Sequence, residues 1–379
     1  MKESNPTGES LISLMSNKVK MHGGINLAQG LPGFRPPDEL LEHLKNCLSG
    51  NCHQYPPGDG HPLLLEFVAQ TLWPQLNHSK SFLITQGATE ALSLVYTSLN
   101  HLNPGGMPTL SFEPAYESFG KLPGIFRNPY HSYPGLPETE EDFRQLETIC
   151  RQNHIRLIFV ASPGNPHGKA WKPVQLTKLI TLASLLGIYV VLDLVYHDHY
   201  FRQPFQLPEE ISRPNVFMAG SFSKMLCITG WRIGYAGIPA ALSGSVKSVH
   251  DYTGLCAAHP LQEALWRYLG ESSKRNLFVE NIRSQIAANY AHASEKMRAL
   301  GFAVADADGG FFIWAGLPAP HTDGFRFATD LYNKKKVALV PGIHFSTAAQ
   351  SFVRLNLARP ENEIREGLEK TASYIDCRY

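Results

Sequence analysis

From about residue 80 to residue 237 the sequence alternates short apolar runs with helical segments. No other feature restricts the fold as strongly. Runs at 81–85, 109–112, 156–161, 188–193, 215–219 and 232–237 read as strands of a buried sheet. Helical periodicity fills 88–99, 140–153 and 174–186 between them. Such alternation predicts an α/β fold with a mainly parallel, mixed sheet sandwiched by helices. Ligands of such sheets bind in the loops beyond the carboxyl ends of the strands.

The flanking segments have a different pattern. A short helix near Leu11, Leu14 and Met15 is expected, then a short strand at Ile25 breaking into a Gly/Pro turn, then helices over 37–48 and 62–72. Beyond residue 240 a long helical segment over 260–300 is followed by strand-like runs at 302–304, 310–314, 337–340 and 352–356. The 379 residues therefore suggest two domains: a large one over 48–265 and a small α+β domain from 1–47 and 266–379. Lys+Arg number 34 against 33 Asp+Glu, so nothing in the charge balance calls for nucleic acid, and Lys334-Lys335-Lys336 reads as a solvated helix end. The polar opening and the lack of an apolar run near 20 residues predict no signal peptide, no membrane span and a cytoplasmic protein. Six scattered cysteines fit reduced thiols. His197 and His199 flank Asp198, yet nothing nearby completes a ligand set, and no metal is assigned.

Within this frame one stretch carries chemistry: Ser221-Phe222-Ser223-Lys224, then Gly230-Trp231-Arg232-Ile233-Gly234. Desolvation and a nearby cation disfavour an ammonium, and a neutral lysine amine can form a Schiff base with an aldehyde. Serine hydroxyls and a guanidinium fork suit a phosphate. An aldehyde and a phosphate on one small molecule describe pyridoxal 5'-phosphate. The plainer alternative is a surface lysine and arginine beside a turn.

Several companions follow expected strands. Gly87-Ala88-Thr89 opens a helix whose free amides form an anion site. Asp193 ends a strand and could hold a pyridine nitrogen protonated. Tyr196 and Asn165 could donate to the ring oxygen, and Tyr116 could stack on the ring. Arg354 suits a substrate α-carboxylate, because a guanidinium grips two oxygens at once. Each has an ordinary reading when taken singly. Gly87 to Thr89 can be a simple strand-to-helix turn, Asp193 an N-cap, Asn165 a turn residue, Tyr116 a core aromatic, and Arg354 a strand charge paired across its sheet. Tyr55, in a loop between helices, is by itself a turn tyrosine.

Together these positions resemble the fold type I, class I/II aminotransferases, in order and approximate spacing, from about Gln29 to Arg354. The kynurenine/methionine (glutamine-preferring) branch is similar at Asn26 to Pro32, Gln54-Tyr55, Gly87 to Leu92, Glu113 to Tyr116 and Gly230 to Tyr235. The resemblance implies a homodimer with active sites at the subunit interface. Tyr55 would reach the phosphate of the partner's cofactor, and Gly30 would offer backbone to the substrate carboxylate opposite Arg354. Leu255 and Cys256 would fall where the partner lines the pocket. The chain departs from the family's pattern at His167 of Asn165-Pro166-His167-Gly168, at Leu194 of Asp193-Leu194-Val195-Tyr196, at Gly164, where the branch has histidine, and at Cys227, usually a small or aliphatic position and read as a packing change.

The activity implied is transamination between an L-amino acid and a 2-oxo acid. Lys224 serves as Schiff-base residue and general base, Asp193 as the charge stabiliser, and Arg354 as the carboxylate anchor. Aromatic content at Tyr116, Phe119 and Trp314 favours a large uncharged donor such as an aromatic residue, methionine or glutamine. The same constellation serves a pyridoxal phosphate lyase, such as a cysteine-conjugate β-lyase or a cyclopropane-forming synthase. A cofactor-binding regulator would need an added DNA-binding domain, for which no residues are spare before the strand at Ile25.

Overall fold

The computed structural model describes residues 10–376. Thirteen strands are present among them. They are β1 (Ile25–Asn26), β2 (Lys80–Thr85), β3 (Thr109–Glu113), β4 (Tyr130–Pro134), β5 (Leu157–Ala161), β6 (Tyr189–Asp193), β7 (Val216–Ser221), β8 (Gly234–Pro239), β9 (Ala303–Val304), β10 (Phe312–Gly316), β11 (Val337–Ala338), β12 (Val340–Pro341) and β13 (Phe352–Asn356). Seven form one sheet in the order β2-β8-β7-β6-β5-β3-β4. All pair in parallel except β8, which runs antiparallel to both neighbours. The fold is thus α/β with a mixed sheet between helices, as the alternation predicts. Val190, Val191 and Leu192 are fully buried, which is why their strand reads as an unbroken apolar run.

The parallel strands end on one edge, and Asp193, Ala161 and Ser221 lie there. A second sheet, β12-β13-β10-β9, stands beyond that edge, and β1 pairs with β11 in a two-stranded ribbon. The helix Leu11–His22 lies over this region, with Met15 buried. A second apolar core, including Phe311, Trp314 and Leu355, fills the space between these elements.

Several elements differ from expectation. The helix expected over 260–300 is two, His259–Gly270 and Ser272–Ala299. Glu271 leaves helical geometry between them (φ −80°, ψ 68°), after a glycine and with its carboxylate held by His43 at 2.7 Å. The run 337–340 is two strands in different sheets, split at Leu339. The helix from Pro62 turns to π-type geometry over Val68–Leu72. Unanticipated are β4 and the helices Glu117–Ile125 and Ser243–Thr253. Lys334 and Lys335 close the helix Gly324–Lys335, as expected of a solvated end. Met1 to Glu9 and Cys377 lie outside the described residues.

Candidate active site

At the carboxyl edge of the sheet a cavity of about 360 Å³ opens. Strand β7 ends in Ser221, and a one-turn helix, Phe222–Met225, carries Lys224 into the cavity. Ser221 caps that turn: its Oγ accepts from the Ser223 amide at 3.1 Å. The Ser223 hydroxyl lines the cavity, buried and without a partner.

Lys224 donates from Nζ to the Gly30 carbonyl. Burial first, then the guanidinium groups of Arg354 and Arg232, lowers its pKa to about 8, against a smaller opposing pull from Asp193. The lysine thus gives up its proton more readily than a free one. Asp193, at the end of β6, accepts from the Val195 amide at 3.1 Å. Burial raises its carboxyl to about 6 despite that bond and the charge of Lys224. Tyr196 packs edge-on against Phe311 and Phe312, and burial pushes its phenol up.

Arg354 lies on β13 and is 1% exposed. Its Nη1 donates to Asn165 Oδ1 at 2.7 Å and its Nη2 to the Ala28 carbonyl at 2.6 Å. Phe312 and Phe345 flank the guanidinium at 4.1 and 4.8 Å. Its Nε is buried with no partner. No carboxylate is among these partners, so the arginine is not the cross-sheet ion pair of the plainer reading. A buried cation of this kind, facing a cavity, is matched to an anionic ligand.

At the opposite side the helix Ala88–Leu102 points its N-terminus at the cavity, where Ala88 and Thr89 line the wall. Arg232 lies against this turn. Its Nη2 donates to the Gln86 carbonyl at 3.3 Å and its Nη1 to the Thr229 carbonyl at 2.9 Å. Gly87 is required here: at φ 81° a Cβ would fall 2.6 Å from the Arg232 Nη2. Arg232 itself is left-handed (φ 56°), which turns the chain from the lysine loop into β8.

The fold therefore gathers Gly30, Ala88, Thr89, Tyr116, Asn165, Asp193, Tyr196, Ser221, Lys224, Arg232 and Arg354 around one cavity. Tyr55 is 80% exposed and is not among the lining residues. Neither are Leu255 and Cys256. Cys227 is buried in the second apolar core and left-handed (φ 58°). Ile12, Leu31 and Phe312 also line the cavity and were not anticipated as site residues. Nothing local marks them, since each joins the wall only when distant segments pack together.

The donor set fits pyridoxal phosphate. Helix amides, an unpartnered serine hydroxyl and a guanidinium line the cavity and suit an anionic tail, and an amine of lowered pKa and a carboxylate line it as well. Among the described residues the groups that could together hold a metal ion are His61, His259 and Glu263, and the His197-Asp198-His199 run is not one of them.

The sequence model of the family described as aminotransferase class I and II matches residues 22–370. The methionine aminotransferase of Escherichia coli K12 is 26% identical over 376 residues, covering 96% of this chain and 95% of that one. A probable N-acetyl-LL-diaminopimelate aminotransferase of Bacillus subtilis 168 is 24% identical, covering 96% and 92%. Among solved structures, N-succinyldiaminopimelate aminotransferase from Mycobacterium tuberculosis superposes with a TM-score of 0.88 at 25% identity, covering 97% and 98%. Aspartate aminotransferase from Thermus thermophilus with maleate gives 0.86 at 24% identity, covering 96% of each chain.

Proposed function

The chain belongs to the class I and II aminotransferases, a pyridoxal phosphate-dependent family, and from that premise we propose that it moves an amino group between an L-amino acid with a large uncharged side chain and a 2-oxo acid. The observation that carries this reading is the buried Arg354 guanidinium, open to the same cavity as Lys224.

Bound at Lys224, pyridoxal phosphate supplies an aldehyde and an electron sink for the substrate's α-carbon. The chain's own residues do the rest. Ser221, Arg232 and the Ala88–Thr89 amides would hold the phosphate, and Tyr116 would cover the ring. Asp193 would keep the ring nitrogen protonated, and Asn165 and Tyr196 would donate to the ring oxygen. Arg354 anchors the α-carboxylate with Gly30 backbone beside it, which aligns the α-proton. Lys224 Nζ would take that proton as general base.

The donor class is argued from the wall. Ile12, Leu31 and Phe312 are apolar, and Arg232 and Arg354 are the lining arginines. Both are committed in this reading, as is Lys224, so among the described lining residues no further lysine or arginine remains for a side-chain carboxylate. This favours the kynurenine/methionine (glutamine-preferring) branch. We further propose a cytoplasmic homodimer in which the exposed Tyr55 completes the partner's phosphate site; the exposed Tyr252 and Leu255 support such a surface. No helix among the described residues is long and apolar enough to cross a membrane. The proposed division into a domain of 48–265 and one of 1–47 with 266–379 is supported by the separate seven- and four-stranded sheets.

A panel of amino acids against several 2-oxo acids, read by the cofactor's spectral change, tests the reading. Aromatic residues, methionine or glutamine should turn over fastest. Preference for aspartate or glutamate would overturn the donor class. Pyruvate release without any oxo-acid acceptor would favour a lyase instead.

A further inference from the structure

Away from the cavity, the first two turns of the helix His259–Gly270 meet the segment that leads into the helix Pro62–Phe67. His259 and Glu263 are four residues apart on that helix and so share one face. His61 approaches from the other segment. Ligand atoms of the three residues lie within 4.8 Å of one another. His61 Nε2 is 2.8 Å from Glu263 Oε2.

The surroundings of these groups are those of a built cation site. Nδ1 of His259 lies 2.9 Å from the Gln54 carbonyl, an acceptor only. Nδ1 must therefore carry the proton, which leaves a lone pair on Nε2, the arrangement that backbone carbonyls impose on metal-binding histidines. Glu263 is oriented as well: Arg267 Nε donates to Oε1 at 2.8 Å and Trp266 Nε1 to Oε2 at 3.2 Å. His61 stacks on Trp266 (5.6 Å, 20°), which fixes its ring plane. Its Nδ1 is buried with no partner, so the hydrogen bonds present do not account for this imidazole. The Cys47 thiol lies beside the same Arg267 and Glu263.

We propose that His61, His259 and Glu263 form a binding site for one borderline divalent cation of the Zn²⁺ class. Two imidazoles and one carboxylate suit Zn²⁺, Ni²⁺ or Cu²⁺, whereas Mg²⁺ and Ca²⁺ want oxygen donors. A tetrahedral Zn²⁺ holds its donors about 3.4 Å apart, so a spread of up to 4.8 Å closes with small torsional adjustments. Three protein ligands leave a fourth position for water. The ion would tie the segment around Gln54 and Tyr55 to the helix that His259 opens.

The test uses chelator-treated, cofactor-loaded protein titrated calorimetrically with ZnCl₂. One micromolar or tighter site per chain is expected. Affinity should fall at least tenfold in His61→Ala and in His259→Ala. Hydrogen exchange over residues 54–61 should slow on adding Zn²⁺ to the wild type but not to His259→Ala. Should His61→Ala fail to fold, His259→Ala decides alone, because its half-buried ring contributes little packing. Absence of saturable binding up to 100 µM, or equal binding and equal protection in His259→Ala, overturns the proposal.

Discussion

The imidazole of His167 fills the space above Gly164: a Cβ built on that glycine would lie 2.4 Å from the ring's Cε1 and Nε2. The ring is fixed by the Lys169 amide, which donates to Nδ1 at 3.0 Å. Burial lowers its pKa to about 4, so it is neutral. The departures from the family's pattern at 164 and 167 are therefore one exchange of volume. Gly164→Ala should destabilise the chain by about 1–3 kcal/mol through overpacking. His167→Thr should relieve most of that cost, giving a coupling of about 0.5–3 kcal/mol in a double-mutant cycle of denaturant midpoints. Additive effects would show that the two positions do not share space.

Lys224 has a pKa of about 8. Roughly a tenth of it is then neutral at pH 7, and only the neutral amine attacks an aldehyde. Capture of pyridoxal phosphate by the cofactor-free chain, followed by absorbance, should speed up about tenfold per pH unit below 8 and level off above it. Arg354→Met removes a cation that holds the lysine down, so its plateau should move to higher pH. Lys224→Ala should show no capture and no turnover. A rate independent of pH between 6 and 9 would contradict the depressed lysine.

Asp193 carries a cost in the folded chain. Its carboxyl titrates near 6 when folded against 3.8 when free, because burial disfavours the anion. The folded state thus prefers the proton, and stability falls as pH rises from about 4 to about 6, the loss being complete above that window. Two units correspond to at most about 3 kcal/mol. Asp193→Asn should therefore raise the melting temperature of the cofactor-free chain at pH 8, by a few degrees, and leave it unchanged at pH 4. The same variant should lose most of its turnover. Equal melting temperatures at pH 8 would mean that the carboxylate is better solvated than its burial implies.

The sequence makes the sheet legible because β5, β6 and β7 are buried on both faces and keep their apolar runs intact. Strand β4 escapes notice as the edge strand: Tyr130, His131 and Ser132 are only partly covered. The helix Glu117–Ile125 is hidden by an internal Pro123 and two glycines, which propensity alone reads as loop. The break at Glu271 depends on a contact with His43, some 230 positions away, which no local window contains. In the site, Asp193 and Lys224 are legible because one ends a strand and the other follows one, and Arg232 because its glycine-flanked turn leads into β8. Ile12 and Phe312 are not, since an apolar side chain on a cavity wall looks like any core residue until the chain closes around it.

In the proposed function Arg354 binds the substrate and not the cofactor. Its partners are Asn165 and the Ala28 carbonyl, and its Nε has none, so the side chain keeps donor capacity for an incoming carboxylate. A charge-assisted hydrogen bond contributes about 1.5–3 kcal/mol, or about ten- to 150-fold in affinity. Arg354→Ala should therefore raise KM for the amino donor by one to two orders of magnitude. The dissociation constant of pyridoxal phosphate should change less than about threefold, because in the proposed function Arg232 and the Ala88–Thr89 amides, not Arg354, would hold the phosphate. Arg354→Lys should recover only part of the loss, since an ammonium cannot bridge two oxygens in a plane. Steady-state kinetics together with cofactor titration by absorbance measure both quantities on the same preparation. If cofactor affinity fell in step with substrate affinity, the guanidinium would be holding up the cofactor's pocket, and the carboxylate anchor would have to be sought elsewhere on the wall.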